Sequence, residues 1–191
     1  MSNSKPTTTA SSPNGLASLW EAYIFQLRKR PILTKALTSA VLSGLGNVAA
    51  QVAVERKGLR GLDVGRLWRF TALGLLLSPV SHYKFLWLEN LFRFARGKTA
   101  VYGKLAIDQL VFGPIFNVLF YVLMAILEGQ PSAMGGLIKS NFWPTTVNSW
   151  KVWPIASFIS FNYVPAELRV LFVNVVAFFW VIILSGIAAR K

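Results

Sequence analysis

Four long apolar blocks run along this chain, the first three separated by short basic segments and the last set off by a longer, proline-rich stretch. They cover residues 32–54, 67–92, 100–127 and 165–188. At about 1.5 Å of rise per residue, each is long enough as a helix to cross the ~30 Å hydrocarbon core of a bilayer. Ahead of them, Leu19, Trp20, Tyr23, Ile24 and Leu27 repeat at the spacing of one helix face and are closed by Arg28-Lys29-Arg30 and Pro31. That stretch predicts an amphipathic helix lying on a membrane surface and leading into the first span. Residues 1–15 are rich in Ser, Thr and Pro and predict a disordered tail. Its one base, Lys5, falls short of the several arginines of a mitochondrial presequence, so a solvated tail is set beside an import signal. A basic start followed by an apolar run, which secretion needs, is absent from the first stretch.

The blocks differ in kind. In the first, Ala36, Ala40 and Gly44 stand four apart, as do Ser39, Ser43 and Asn47. Small residues at that spacing let helix backbones approach closely, so this span predicts a position inside the bundle. The second block carries Pro79 and His82 in its middle and Lys84, Glu89 and Asn90 beyond, which predicts a kink and a polar half. The third holds Lys104, Asp108, Gln109, Pro114 and Asn117 before a purely apolar end, and Gly129 and Pro131 stop it. Residues 132–142 predict a short interfacial helix. Three Trp-Pro or Val-Pro steps then break the chain at Pro144, Pro154 and Pro165. A half-helix over 154–161, in an interrupted and re-entrant segment, precedes a final span that opens on Pro165.

The fold class expected is therefore all-α: a single membrane domain over 16–191, a bundle of four transmembrane helices with an N-terminal amphipathic helix and a proline-broken half-helix before the last span. Pro79, Pro114, Pro154 and Pro165 are its expected hinges. An even number of crossings puts both termini on one side. That side then holds ten basic residues against seven, a small excess for cytosolic termini by the positive-inside rule.

Composition agrees with lipid as the solvent. Of 191 residues, 54% are hydrophobic and 14% charged, against roughly 25% charged in soluble domains. The net charge of +13 raises nucleic acid as a partner. The bases sit beside apolar blocks, however, where lipid headgroups attract them, so membrane lipids replace nucleic acid as the expected partner. With no cysteine and one histidine, thiolate chemistry and a protein metal site are not expected, nor is any cofactor.

The candidate residues are polar groups at membrane depth: Lys35, Asn47, Gln51, His82, Asp108, Gln109, Glu167 and Arg169. Such groups face the bundle interior and pair, or line a water path. Lys104 and Arg169 are the expected counter-ions of Asp108, in a pair that fixes helix register, lines a pore, or does both. His82 reads as a packed histidine or a proton relay. Gly44-Leu45-Gly46-Asn47 lacks the third glycine, preceding strand and acidic partner of a nucleotide loop. No nucleophile–base pair or carboxylate dyad stands out, so an enzyme is not expected.

Several motifs together resemble the peroxisomal membrane protein 22 kDa/Mpv-type family. They are Pro31-Ile-Leu-Thr-Lys35-Ala-Leu-Thr38 with Gly46-Asn47 and Gln51; Asp63 with Arg66 and Arg69; Ser78-Pro79 with Ser81-His82; and Asp108-Gln109-Leu-Val-Phe-Gly-Pro114. The C-terminal set is the most specific: Trp143-Pro144, Trp150-Lys-Val-Trp153-Pro154, Phe161-Asn162-Tyr163-Val164-Pro165, Arg169 and Trp180. Leu62-Asp-Val-Gly65, Asn162-Tyr-Val-Pro165 and Arg169-Val-Leu-Phe172 lean toward the family's peroxisomal branch. Departures are Asn47 where many members have Asp, Ser78 where Gly often stands, and Ser149 for Asn. The first removes a possible pore charge.

The resemblance implies four spans, a peroxisomal membrane location, and a pore for small hydrophilic metabolites built as a homo-oligomer. It also implies a peroxisomal membrane-protein import receptor that recognises basic segments beside spans. The alternatives are a non-transporting scaffold for organelle organisation and a channel of the mitochondrial inner membrane.

Overall fold

The computed structural model describes residues 15–56 and 58–188, with the side chains of Leu59 and of 183–188 left aside. The N-terminal tail through residue 14, Lys57, Arg190 and Lys191 lie outside the described residues. Among those described the fold is all-helical.

Helix α1 (Gly15–Lys29) precedes α2 (Pro31–Ala49), which Pro31 opens at a first-turn position where its missing N–H has no partner to lose. A π turn, Ala50–Val54, carries α2 on to Val54. Helix α3 (Val64–Leu91) is capped by Asp63, whose carboxylate accepts from Arg66 N at 2.8 Å. Helices α4 (Gly97–Ile107) and α5 (Gly113–Leu127) are joined by a second π turn, Asp108–Phe112. Gly129, at φ +71°, ends α5. Gln130 N there donates to Ala125 O and Gly129 N to Ile126 O, the paired bonds of a Schellman cap. Then come α6 (Met134–Ser149), α7 (Trp153–Tyr163) and α8 (Arg169–Ala188).

Side-chain pairs fix how these run. Lys35 meets His82, and Gln51 meets Asp63, so α2 and α3 are antiparallel. Lys84 meets Asp108 and Arg69 meets Glu128, so α3 and the α4–α5 rod are antiparallel as well. Asn117 donates to Thr146 and Gln109 to Ser157. Helix α6 therefore returns along α5, and α7 continues the same direction along α4. Helix α8 then lies parallel to α2, with Asn174 donating to Ser39 and Phe178 against Gly46. The chain passes along the bundle five times among the described residues.

The small-residue row of α2 is the reason α2 sits between α3 and α8. A Cβ on Gly44 would meet Thr71 Oγ1 at 2.7 Å, and one on Gly46 would meet Phe178 at 3.3 Å. Among the described residues, two stretches are long and apolar enough to cross a membrane, Pro31–Val54 and Gly97–Leu127. They are placed differently: 39% of the first one's most apolar stretch is buried, and 6% of the second's. The first buries its small-residue face and exposes Leu33, Leu37, Val41 and Leu45, while the second is partly covered along most of its length. Helix α3 has the length but is interrupted by Arg66, Arg69, Lys84 and Glu89.

Four local expectations change. The segment around Pro144 is not broken, because α6 runs through it to Ser149. Its last turn is held to α5 by Thr145 with Tyr121 and Thr146 with Asn117, which offsets the one lost backbone bond. The final helix opens at Arg169, not Pro165. Val164 is extended, as a residue before proline prefers to be, and Leu168 N closes a turn on Pro165 O at 2.9 Å. Pro79 lies within an uninterrupted α3, and Pro114 in the first turn of α5. Finally, the half-helix does not turn back: α6 and α7 lie end to end along the full α4–α5 rod.

Candidate functional site

Most of the charged groups of the interior gather where α3, α4, α7 and α8 meet, in two adjoining clusters. In the first, Lys84 Nζ lies 2.7 Å from Asp108 Oδ1. The other carboxylate oxygen accepts from Ser157 Oγ at 2.6 Å and from Gln109 Nε2 at 3.0 Å. Gln109 Nε2 is also 3.1 Å from Ser157 Oγ, so three side chains from three helices converge on one carboxylate. The Lys84 ammonium rests over the Phe85 and Phe116 rings, 4.3 and 5.3 Å from their centroids. Aromatic faces of this kind attract a cation where water is scarce.

The π turn explains the presentation of Asp108. One extra residue in the turn, with Gly113 N donating to Asp108 O, rotates Asp108 and Gln109 together toward α3 and α7. Pro114 falls in the first turn of α5 just beyond.

The second cluster is centred on Glu89. Its carboxylate pairs with Lys104 Nζ at 2.7 Å and with Arg169 Nη1. Arg169 is buried, donates to Val164 O at 3.2 Å and sits over the Phe161 ring at 5.4 Å. The apolar cluster of Phe85, Leu88, Phe161 and Val170 packs beside both groups. Three cations thus meet two carboxylates in the interior. A charge at this depth is costly alone, and pairing with satisfied hydrogen bonds reduces that cost.

Asp108 is therefore paired by Lys84, and not by Lys104 or Arg169. Both of those serve Glu89 instead. Lys35 and His82 lie apart from these clusters, Lys35 Nζ 3.0 Å from His82 Nδ1, with Lys35 buried. Asn47 and Gln51 are fully buried at the far end of α2. Gln51 Nε2 donates to Asn47 Oδ1 at 2.8 Å, and Gln51 Oε1 accepts from Asp63 N at 2.7 Å, which closes the α2–α3 corner. Glu167 is half-exposed in the turn before α8 and meets Arg28 at 3.3 Å. Sequence reasoning passed over Lys84, Glu89 and Ser157 as site residues. The signal was present for two of them. Lys84 and Glu89 on one helix repeat the cation–anion order of Lys104 and Asp108 on its antiparallel neighbour, so each cation meets the other's anion.

On the outer side, a groove of about 360 Å³ runs between α4 and α7, lined by Tyr102, Leu105, Ala106, Gln109, Leu110, Trp150 and Pro154. Among the described residues, no group of His, Asp or Glu is gathered as a metal site would need.

Comparison with known sequences decides the family. PXMP2/4 family protein 3 of Dictyostelium discoideum is 42% identical over 191 residues, covering 100% of this chain and 99% of its own. Peroxisomal membrane protein 2 of Bos taurus is 38% identical over 174 residues, 86% of this chain and 87% of its own. The chain belongs to the Mpv17 / PMP22 family. The Mpv17 / PMP22 profile itself matches residues 125–185, from the end of α5 into α8. That interval holds the Trp150–Pro154 turn, Ser157 and Arg169, and so the α7 and α8 side of both clusters. Protein SYM1 of Saccharomyces cerevisiae is 33% identical over 172 residues, 86% of each chain. No solved structure matches. As a member of the Mpv17 / PMP22 family the chain is a membrane protein, and the resemblance read from its motifs holds.

Proposed function

We propose that this protein is a channel for small hydrophilic solutes across the peroxisomal membrane, and not an enzyme. The observation that carries the reading is the band of ionisable and amide groups at membrane depth, from Lys35 and His82 through Lys84, Asp108 and Gln109 to Arg169. A bundle that only anchored itself would spend fewer charges there. The likeness to peroxisomal membrane protein 2 supports the location. Small metabolites, membrane lipids, further copies of the chain and an import receptor are the partners in this reading. Pro31–Val54, α3, Gly97–Leu127 and α8 serve as spans, and the α6–α7 run adds a fifth crossing. An odd number puts the two ends on opposite sides. The ten-to-seven charge excess, which assumed both ends together, then no longer orients the protein.

The test is solute efflux from liposomes holding the purified protein alone, with probes graded in size and charge. Leakage limited by size supports the channel. Tight vesicles around folded, inserted protein refute it.

A second reading is a scaffold for organelle organisation. It is favoured by one observation: every oxygen of the Asp108 carboxylate already has a partner, as a purely structural pair requires. The mitochondrial inner membrane, the location of another branch of the family, is the alternative site of action.

A further inference from the structure

The two ends of the bundle treat their charges differently. One end gathers the α1–α2 corner, the α3–α4 turn and the α7–α8 turn, and the other gathers the segment 55–63 and the α5–α6 turn. At the second end acids stand among the bases: Arg66 meets Glu55 at 2.6 Å, Arg69 meets Glu128 at 3.6 Å, and Asp63 caps α3. The first end carries six exposed bases in two triplets, Arg28, Lys29 and Arg30 before α2 and Arg93, Arg96 and Lys98 around the start of α4. Glu21 and Glu167 are the exposed acids near them, and among the described residues Arg28 alone of the six forms an ion pair, with Glu167 at 3.3 Å.

The level of the triplets follows from the helices. Counted from the Lys35–His82 contact, α2 begins about 6 Å further out and α3 ends about 14 Å further out. Pro31–Val54 is about 36 Å long, slightly more than the ~30 Å core, so both triplets lie at the headgroups. In each a base rests over an exposed phenylalanine, Lys29 Nζ 5.7 Å from the Phe25 ring and the Arg93 guanidinium 4.5 Å from that of Phe94. Aromatic rings favour that boundary between acyl chains and headgroups. Helix α1 adds an apolar stripe, Leu16, Leu19, Trp20, Tyr23, Ile24 and Leu27, which packs on the bundle at Leu27, 2% exposed, and runs off it at Leu16, 83% exposed.

We infer that this end of the bundle binds anionic phospholipid, with the two triplets holding headgroup phosphates and the overhanging stripe of α1 lying on the acyl boundary. Unpaired bases need an anionic partner, and the forked guanidinium of arginine fits a phosphate. The exposed apolar stripe beside them makes that partner a lipid. Opposite ends of one bundle then differ in the leaflet they prefer, whether or not solutes pass between them.

Spin-labelled lipids test this with the full chain reconstituted in phosphatidylcholine vesicles. Labelled phosphatidylserine is expected to associate about fivefold more strongly than labelled phosphatidylcholine, and less so in high salt. Changing either triplet to glutamine is expected to remove most of that preference. The charge-keeping changes Arg28→Lys, Arg30→Lys, Arg93→Lys and Arg96→Lys are expected to retain it, as is Arg56→Gln with Arg60→Gln at the opposite end. Equal association of the two lipids with the wild-type chain, a preference untouched by both glutamine triplets, or one lost equally with Arg56 and Arg60 overturns the inference. Glutamine triplets that keep the lipid preference but no longer retain an import receptor assign the bases to a protein, and overturn it as well.

Discussion

Gly74 of α3 lies directly beneath the backbone carbonyl of Ser39 on α2; a Cβ built there would stand 2.5 Å from that oxygen and 2.6 Å from Ser43 Oγ. The carbonyl cannot move without displacing helix backbone, whereas the Ser43 hydroxyl can rotate aside, so the backbone contact sets the limit here. Gly74→Ala is expected to destabilise the protein by about 1–3 kcal/mol. Gly135, on α6, has open space around it, and its Ala variant is expected to be neutral or slightly stabilising. Thermal unfolding in detergent compares the two. Equal midpoints would remove the close contact.

The Asp108 cluster makes a sharper demand. Lys84→Met leaves a buried carboxylate without its counter-ion and is expected to cost about 3–5 kcal/mol. Adding Asp108→Leu removes the stranded charge and is expected to recover much of that loss. Lys104→Met is not expected to couple to Asp108→Leu at all. A double-mutant cycle in which Asp108 couples to Lys104 more strongly than to Lys84 would contradict the pairing.

At the other end of the bundle Gln51 holds the Asp63 N–H and carbonyl from a fully buried position. Gln51→Ala strands those backbone groups and is expected to cost about 1–3 kcal/mol. Because Asp63 caps α3, the segment 55–63 should also become the first site of limited proteolysis.

Five crossings make a topological prediction. A tag at the N-terminus and a tag at the C-terminus should be protected from protease on opposite sides of the organelle membrane. Protection of both from one side would mean that the α6–α7 run does not cross.

Much of this was legible in the sequence. The small-residue rows of α2, the length of the α4–α5 rod and the interruption near Trp153 all follow from spacing and proline chemistry, which are local. The partner of Asp108 was not legible in that way. Lys104 is one turn away in sequence and looks like the natural counter-ion, but the π turn rotates Asp108 toward α3, and only the antiparallel register brings Lys84 to it. Pro144 misled for a related reason: its cost is local, while the hydrogen bonds from Thr145 and Thr146 that hold α6 together reach another helix.

The break between α6 and α7 also bears on how the protein enters its membrane. With Lys139, Lys151, Pro144, Pro154 and a row of hydroxyl groups, that run partitions poorly into lipid by itself. The hydroxyls of Thr145, Thr146 and Ser157 find their partners on the α4–α5 rod. The two must therefore leave the insertion machinery as one hairpin. A chain cut between Leu127 and Met134 should leave the α6–α7 run outside the bilayer, tethered there by α8 alone.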